Sequence, residues 1–108
     1  MAKNEMLPGT LGMLILRVVQ PGPLHGYAIA QRIHQLSNEL LQVEEGSLYP
    51  ALQRLLLKGW LNSEWGISET NRKVRFYRLT AVGRKQLQAE MDDFDRILQG
   101  IQAVLSRA

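Results

Sequence analysis

The sequence predicts a mainly α chain with one small β-hairpin, an α+β fold of the winged helix-turn-helix kind carrying a long C-terminal helix. Three observations predict it. Before Gly59, apolar residues recur in three short stretches at the steps of three and four that mark one helix face. Between Trp60 and Leu79 the period drops to two, and aromatic and β-branched residues gather as in strands. After Thr80, apolar residues continue to Leu105 in alternating steps of 4 and 3, the heptad spacing. A chain of 108 residues has room for one modest core. Neither an internal repeat nor a low-complexity tract divides it.

Residues 1–9 are expected as an arm ending in Pro8-Gly9, with Thr10 as the N-cap of a first helix. Leu11, Leu14, Ile15, Val18 and Val19 form its stripe, and Gln20-Pro21-Gly22-Pro23 ends it. A second helix is expected from Gly26 to Ser37. Its inner face is Tyr27, Ile29, Ala30, Ile33 and Leu36, with Gln31, Arg32 and Gln35 outward. A loop over Asn38 to Glu45 leads to a third helix that ends near Gly59, because glycine enters the left-handed region cheaply. Glu44 and Glu45 stand at its start, where the helix dipole favours negative charge. Pro50 is expected in its first turn, since a proline further in breaks a helix. The second and third helices with their turn make a helix-turn-helix.

The third helix has two faces. Leu48, Leu52, Leu55 and Leu56 make a buried stripe, and Ser47, Pro50, Gln53, Arg54 and Lys58 fall opposite. A compact polar face, basic at its far end, suits a DNA major groove; the competing reading is an ordinary amphipathic surface helix. Trp60–Trp65 and Lys73–Leu79 then read as two strands joined by the turn-forming GISETNR, a hairpin that serves as the wing. Trp60 and Trp65 are expected to pack in the core or the hairpin rather than to stack on bases.

Thr80 caps the last helix. Leu87, Met91, Phe94, Leu98, Ile101 and Leu105 form its seam, and Ile97 and Val104 widen it. A second copy of the chain is the expected cover for so long an apolar strip, and packing against the first helix is the alternative. Gly100 falls on the exposed side, with no functional account. The division expected is a winged helix-turn-helix domain over 1–79 and a dimerisation helix over 80–108.

Composition narrows the function classes. The net charge of +3 lies wholly before residue 80, because Arg84, Lys85, Arg96 and Arg107 cancel Glu90, Asp92, Asp93 and Asp95. No acid occurs between Thr70 and Ala89, while Arg72, Lys73, Arg75, Arg78, Arg84 and Lys85 crowd together, a pattern that attracts phosphate backbones. The absence of cysteine excludes disulfides and thiol chemistry. The longest apolar run, Leu11 to Leu16, is too short to cross a bilayer, and MAKNEML has no signal-peptide layout. A cytoplasmic protein without membrane contact is expected. His25 and His34 are nine apart and do not share a helix face as a metal pair does, and no acid cluster lies near them. Asp92, Asp93 and Asp95 lie on a helix and do not form a calcium loop. No phosphate-binding loop or nucleophile elbow is present. The expectation is a protein that is not an enzyme and has no metal or cofactor.

Pro23-Leu24-His25-Gly26-Tyr27, then Gly46-Ser47-Leu48-Tyr49-Pro50-Ala51-Leu52, then Tyr77-Arg78-Leu79-Thr80 followed by Gly83, resemble the PadR family of bacterial transcriptional regulators. The match runs from about Thr10 to Leu87, and the single terminal helix is similar to that of its short subclass. The resemblance implies a winged helix-turn-helix, a homodimer built by the terminal helix, and repression through an inverted-repeat operator. It implies that His25 and Gly26 are structural, at the start of the second helix, and that Ser47, Tyr49 and Pro50 touch DNA. Leu57 departs from the pattern, falling near the outward side where a polar residue is expected, and is expected to pack on the wing.

Chemistry assigns the remaining DNA contacts. Arg54 suits guanine, Gln53 suits adenine, and Arg72, Lys73 and Arg75 neutralise phosphates. The partners implied are double-stranded DNA, a second copy of the chain, and a small-molecule effector. Some short family members bind aromatic or cationic compounds between subunits through an aromatic residue of the terminal helix. Phe94, flanked by Asp92, Asp93 and Asp95, is the residue for that role here, against the plainer reading that it fills the dimer core. The alternative function is a winged-helix protein-interaction module with no DNA target.

Overall fold

The computed structural model of the protein describes residues 9–108; the arm expected at the N-terminus lies outside them except for Gly9. The chain runs α1 (Thr10–Val18), β1 (Leu24–His25), α2 (Gly26–Leu36), α3 (Glu45–Leu57), β2 (Leu61–Ile67), β3 (Lys73–Leu79) and α4 (Ala81–Arg107). Gly9 at φ 86° holds the N-cap of α1, so Thr10 is the first helical residue and not the cap. The chain enters through a left-handed turn that glycine adopts without strain. α1 packs on α2, α3 and α4, and this enclosure buries Leu16 beside the expected Ile15, Val18 and Val19.

α2 starts at His25, whose Nδ1 accepts the Ala28 N–H at 3.4 Å, the structural role expected of it. Its buried row is Gly26, Ile29 and Ile33. Tyr27, expected inside, is 65% exposed, because it stands roughly 120° around the helix from that row. Leu36, also expected inside, lies exposed at the last turn. The loop that follows is tied by Ser37, whose Oγ accepts the Leu41 N–H at 3.0 Å, and by His34, whose Nδ1 donates to the Leu41 carbonyl at 3.1 Å.

α3 buries Leu48, Ala51, Leu52 and Leu55. Pro50 is its sixth residue and lies in the second turn, not the first as expected. The carbonyl that thereby loses its helical donor belongs to Gly46, which is exposed and open to water. The helix stops at Gly59, φ 75°, with the Gly59 N–H on the Leu56 carbonyl and the Trp60 N–H on the Leu55 carbonyl, both at 3.0 Å. That pair of bonds is the Schellman stop.

The sheet has three antiparallel strands in the order β1-β3-β2, one more than the hairpin expected. β1 pairs Leu24 with Tyr77 and His25 with Phe76, and two residues are too few to show a period. β2 and β3 pair from Leu61↔Leu79 to Ile67↔Lys73, so the hairpin reaches two residues further than Trp65. The Ser68 N–H donates to the Arg72 carbonyl and the Arg72 N–H to Ser68 Oγ, closing the turn. Gly66 leaves room for the Phe76 ring to lie across the strand, where a Cβ would stand 2.7 Å from it.

Thr80 caps α4 as expected, its Oγ1 accepting the Gly83 N–H at 2.9 Å. The same hydroxyl donates to the Gly59 carbonyl at 2.7 Å, and the Thr80 N–H donates to the Trp60 carbonyl. Only Gly83 and Leu87 of α4 are buried. Beyond them the helix leaves the core, which accounts for the long axis of 54 Å.

Candidate nucleic-acid interface

The outward residues of α3 arrange themselves by the 3.6-residue turn. Gly46, Pro50, Gln53 and Leu57 share a central row, with Tyr49 on one flank and Ser47 and Arg54 on the other, and all seven are exposed. Leu57, expected to pack on the wing, is 78% exposed instead. Leu56 takes that place, lining with Leu61 and Phe76 a shallow groove of about 340 Å³ between α3 and the hairpin.

Tyr49 also reaches back to α2. Its ring lies against Gly26, where a Cβ would come within 2.8 Å of the hydroxyl oxygen. Two of the motifs quoted above are therefore one contact: the glycine opening α2 makes room for the tyrosine of α3. Tyr77, buried on β3, lies near enough to Tyr49 to feel it. Burial pushes the Tyr77 hydroxyl above its ordinary pKa of 10.0, with Arg75 opposing and Tyr49 adding to the shift. The phenol therefore stays neutral wherever the protein is folded near neutral pH.

From Tyr77 the site continues along the hairpin. Strand alternation puts Leu61, Ser63, Trp65 and Ile67 on one face with Lys73, Arg75, Tyr77 and Leu79. The end bearing Leu61, Tyr77 and Leu79 is core, and the free end is cationic and aromatic. The Arg75 guanidinium lies 5.8 Å from the Tyr77 ring and 5.8 Å from that of Trp65, and Lys73 Nζ lies 5.1 Å from Trp65. Arg75 also donates to Ser63 Oγ at 2.5 Å. Trp65 is thus held within the hairpin by two cations while 63% of it stays exposed, so it does not enter the core. Trp60 does pack on the core, with Lys58 Nζ 4.5 Å from its ring.

The six cations that crowd together in the sequence separate in space. Lys73 and Arg75 share the face just described, and Arg72 is exposed in the turn. Arg78 points from the opposite face and pairs with Glu64 at 2.8 Å. Arg84 and Lys85 join Arg17 around a cavity of about 390 Å³ between α1 and α4. Period two in a strand and 3.6 in a helix cannot keep neighbours in sequence on one side.

On α4, Leu87 is only 2% exposed and belongs to the chain's own core. The other seam residues, Met91, Phe94, Leu98, Ile101 and Leu105, are exposed, and Phe94 is 38% so. The acids near Phe94 are engaged along their own helix: Asp92 accepts from Gln88, Asp93 pairs with Arg96, and Asp95 accepts from Gln99. Among the described residues, no three His, Asp or Glu side chains gather as metal ligands, and no helix is long and apolar enough to cross a membrane.

Sequence reasoning missed β1, the Tyr49–Gly26 contact and the cation clamp on Trp65. Each depends on a pairing or a contact that only the fold sets, the Trp65–Arg75 register included.

Comparison with known proteins agrees with this geometry. The model of the transcriptional regulator PadR-like family matches residues 15–89. An uncharacterised protein of Lysinibacillus sphaericus is 31% identical over 87 residues, covering 81% of this chain and 80% of that one. A 37.1 kDa transposon protein of Streptomyces fradiae is 40% identical over 85 residues, 79% of this chain but 23% of its own length. Among solved structures, a PadR family transcriptional regulator from Eggerthella lenta superposes with a TM-score of 0.77 at 29% identity, covering 93% of this chain and 85% of that one. A transcriptional regulator from Clostridium thermocellum gives 0.78 at 28% identity, over 85% and 89% of the two chains. The matched span takes in α2, α3, the hairpin and the buried start of α4, and on it the chain belongs to the PadR-like family of transcriptional regulators.

Proposed function

We propose that the protein is a sequence-specific DNA-binding repressor, acting in the cytoplasm as a homodimer on an inverted-repeat operator. The observation that carries this reading is the exposed α3 face of Ser47, Tyr49, Pro50, Gln53 and Arg54, together with the cationic free end of the hairpin at Arg72, Lys73 and Arg75. α3 supplies base contacts in the major groove and the hairpin supplies phosphate contacts. The uncovered strip from Met91 to Leu105 supports a second copy as its cover. A dimer presents two α3 helices, and two-fold symmetry calls for a palindrome.

Selection of bound sequences from random duplex DNA tests the proposal, and an enriched palindrome is the expected result. On that site Arg54→Ala costs about 1–3 kcal/mol and relaxes choice at one base per half-site. An equal loss on every sequence reduces Arg54 to a phosphate contact. No enrichment, with no retention on heparin, favours a protein-interaction module. Release by an effector rests on Phe94, at the middle of the uncovered strip. A planar cation bound there raises the melting temperature, and Phe94→Ala loses the rise. An equal rise in both proteins leaves Phe94 as interface packing.

A further inference from the structure

We propose that Leu57 is a specificity residue that reads the 5-methyl group of a thymine at the outer edge of each half-site. The proposal rests on the DNA-binding reading of α3. Leu57 completes the central row begun by Gly46, Pro50 and Gln53, one turn beyond Gln53, and 78% of it faces solvent. It lies outside the core, and Leu56, not Leu57, is the residue that packs towards the hairpin. One helical turn advances about 5.4 Å, roughly one and a half base-pair steps, so a base within reach of Gln53 brings Leu57 over the next pair or two.

The chemistry of that position is narrow. Leu57 can neither donate nor accept a hydrogen bond, so it distinguishes base pairs only by apolar contact. In the major groove the one apolar group is the thymine methyl. Arg54 on α3 and Lys58 at its C-cap lie beside it, and the Lys58 ammonium lies over the Trp60 ring. The surroundings are cationic, as a phosphate-lined groove requires. A leucine left exposed at the end of that row thus gains an apolar partner only when DNA is bound.

The test uses the full chain and the duplex it selects. Each thymine of the operator is replaced in turn by uracil, which lacks the methyl and keeps every hydrogen-bonding group. Wild-type protein is expected to lose about fourfold in affinity per half-site at one thymine position, the worth of one buried methyl group. Leu57→Ala is expected to bind thymine and uracil alike at that position and to melt where the wild type does, because the residue is exposed and alanine favours the helix. Tolerance of uracil at every position by the wild type overturns the proposal, as does an undiminished penalty in Leu57→Ala. A wild-type protein that selects no duplex at all removes the DNA-binding reading first and Leu57 with it.

Discussion

A Cβ built on Gly83 would stand 2.0 Å from the Trp60 carbonyl oxygen, and that oxygen already accepts the Thr80 N–H. Neither backbone group can yield without breaking the joint between the hairpin and α4. Gly83→Ala is therefore expected to cost about 1–3 kcal/mol, the usual penalty of overfilling a packed site, read as a lower denaturant midpoint. An unchanged midpoint would mean that α4 is not seated there. Gly83 and Gly26 are both visible in the sequence as parts of motifs. Their reason is not, because the atoms they make room for come from Trp60 and from Tyr49, 23 residues away in each case. Tyr27 departs from expectation for a related cause. An aromatic next to apolar neighbours reads as core, and only the packing of Ile29 and Ile33 decides which arc of α2 is inside.

At the scale of elements, periodicity carries most of the fold. The stripe of α3, its stop at Gly59, the cap of α4 and the exposed seam are all legible, because each is a local pattern that tertiary packing leaves unchanged. β1 is not, since it exists only as a partner to Tyr77 and Phe76. The start of α3 differs from expectation because helix propensity argues against a proline in the second turn, and an exposed carbonyl at Gly46 relieves half of that objection. The candidate site divides in the same way. On α3, helical spacing turns Ser47, Pro50, Gln53 and Arg54 outward and the family resemblance adds Tyr49, whereas the basic cluster is not legible, because strand alternation turns Arg78 to Glu64. The hairpin prediction follows from the face that Lys73 and Arg75 do share. Replacing both with alanine is expected to flatten the salt dependence of DNA binding by roughly one unit of slope for each phosphate no longer neutralised. An unchanged slope would take the hairpin off the DNA. Trp65 is stripped of both cations in that variant, so its fluorescence reports the rearrangement without any label.

At the scale of the whole molecule, the domain's core ends at Leu87 while α4 runs on to Arg107. An exposed strip of Met91, Phe94, Leu98 and Ile101 exceeds what a small subunit covers alone. Leu98→Asp places a charge in the proposed interface, where an unpaired buried charge is very costly, and a monomer in analytical ultracentrifugation is the expected outcome. A variant that sediments as a dimer would move the interface elsewhere. Leu98 lies outside the subunit's own core, so the monomer should keep its helical circular dichroism.

The joint at Thr80 has a mechanical consequence. With Gly59 and Trp60 bonded to Thr80, and Gly83 pressed onto Trp60, the angle between the hairpin and α4 is set at this one joint. A helix of 27 residues is about 40 Å long, so it acts as a lever pivoted at the hairpin root. In the proposed dimer, a tilt of roughly 5° at that pivot displaces the far end by about 3.5 Å, close to the 3.4 Å between successive base pairs. In that dimer the spacing between two half-sites is set by an angle held by two hydrogen bonds, from Thr80 to the Gly59 and Trp60 carbonyls.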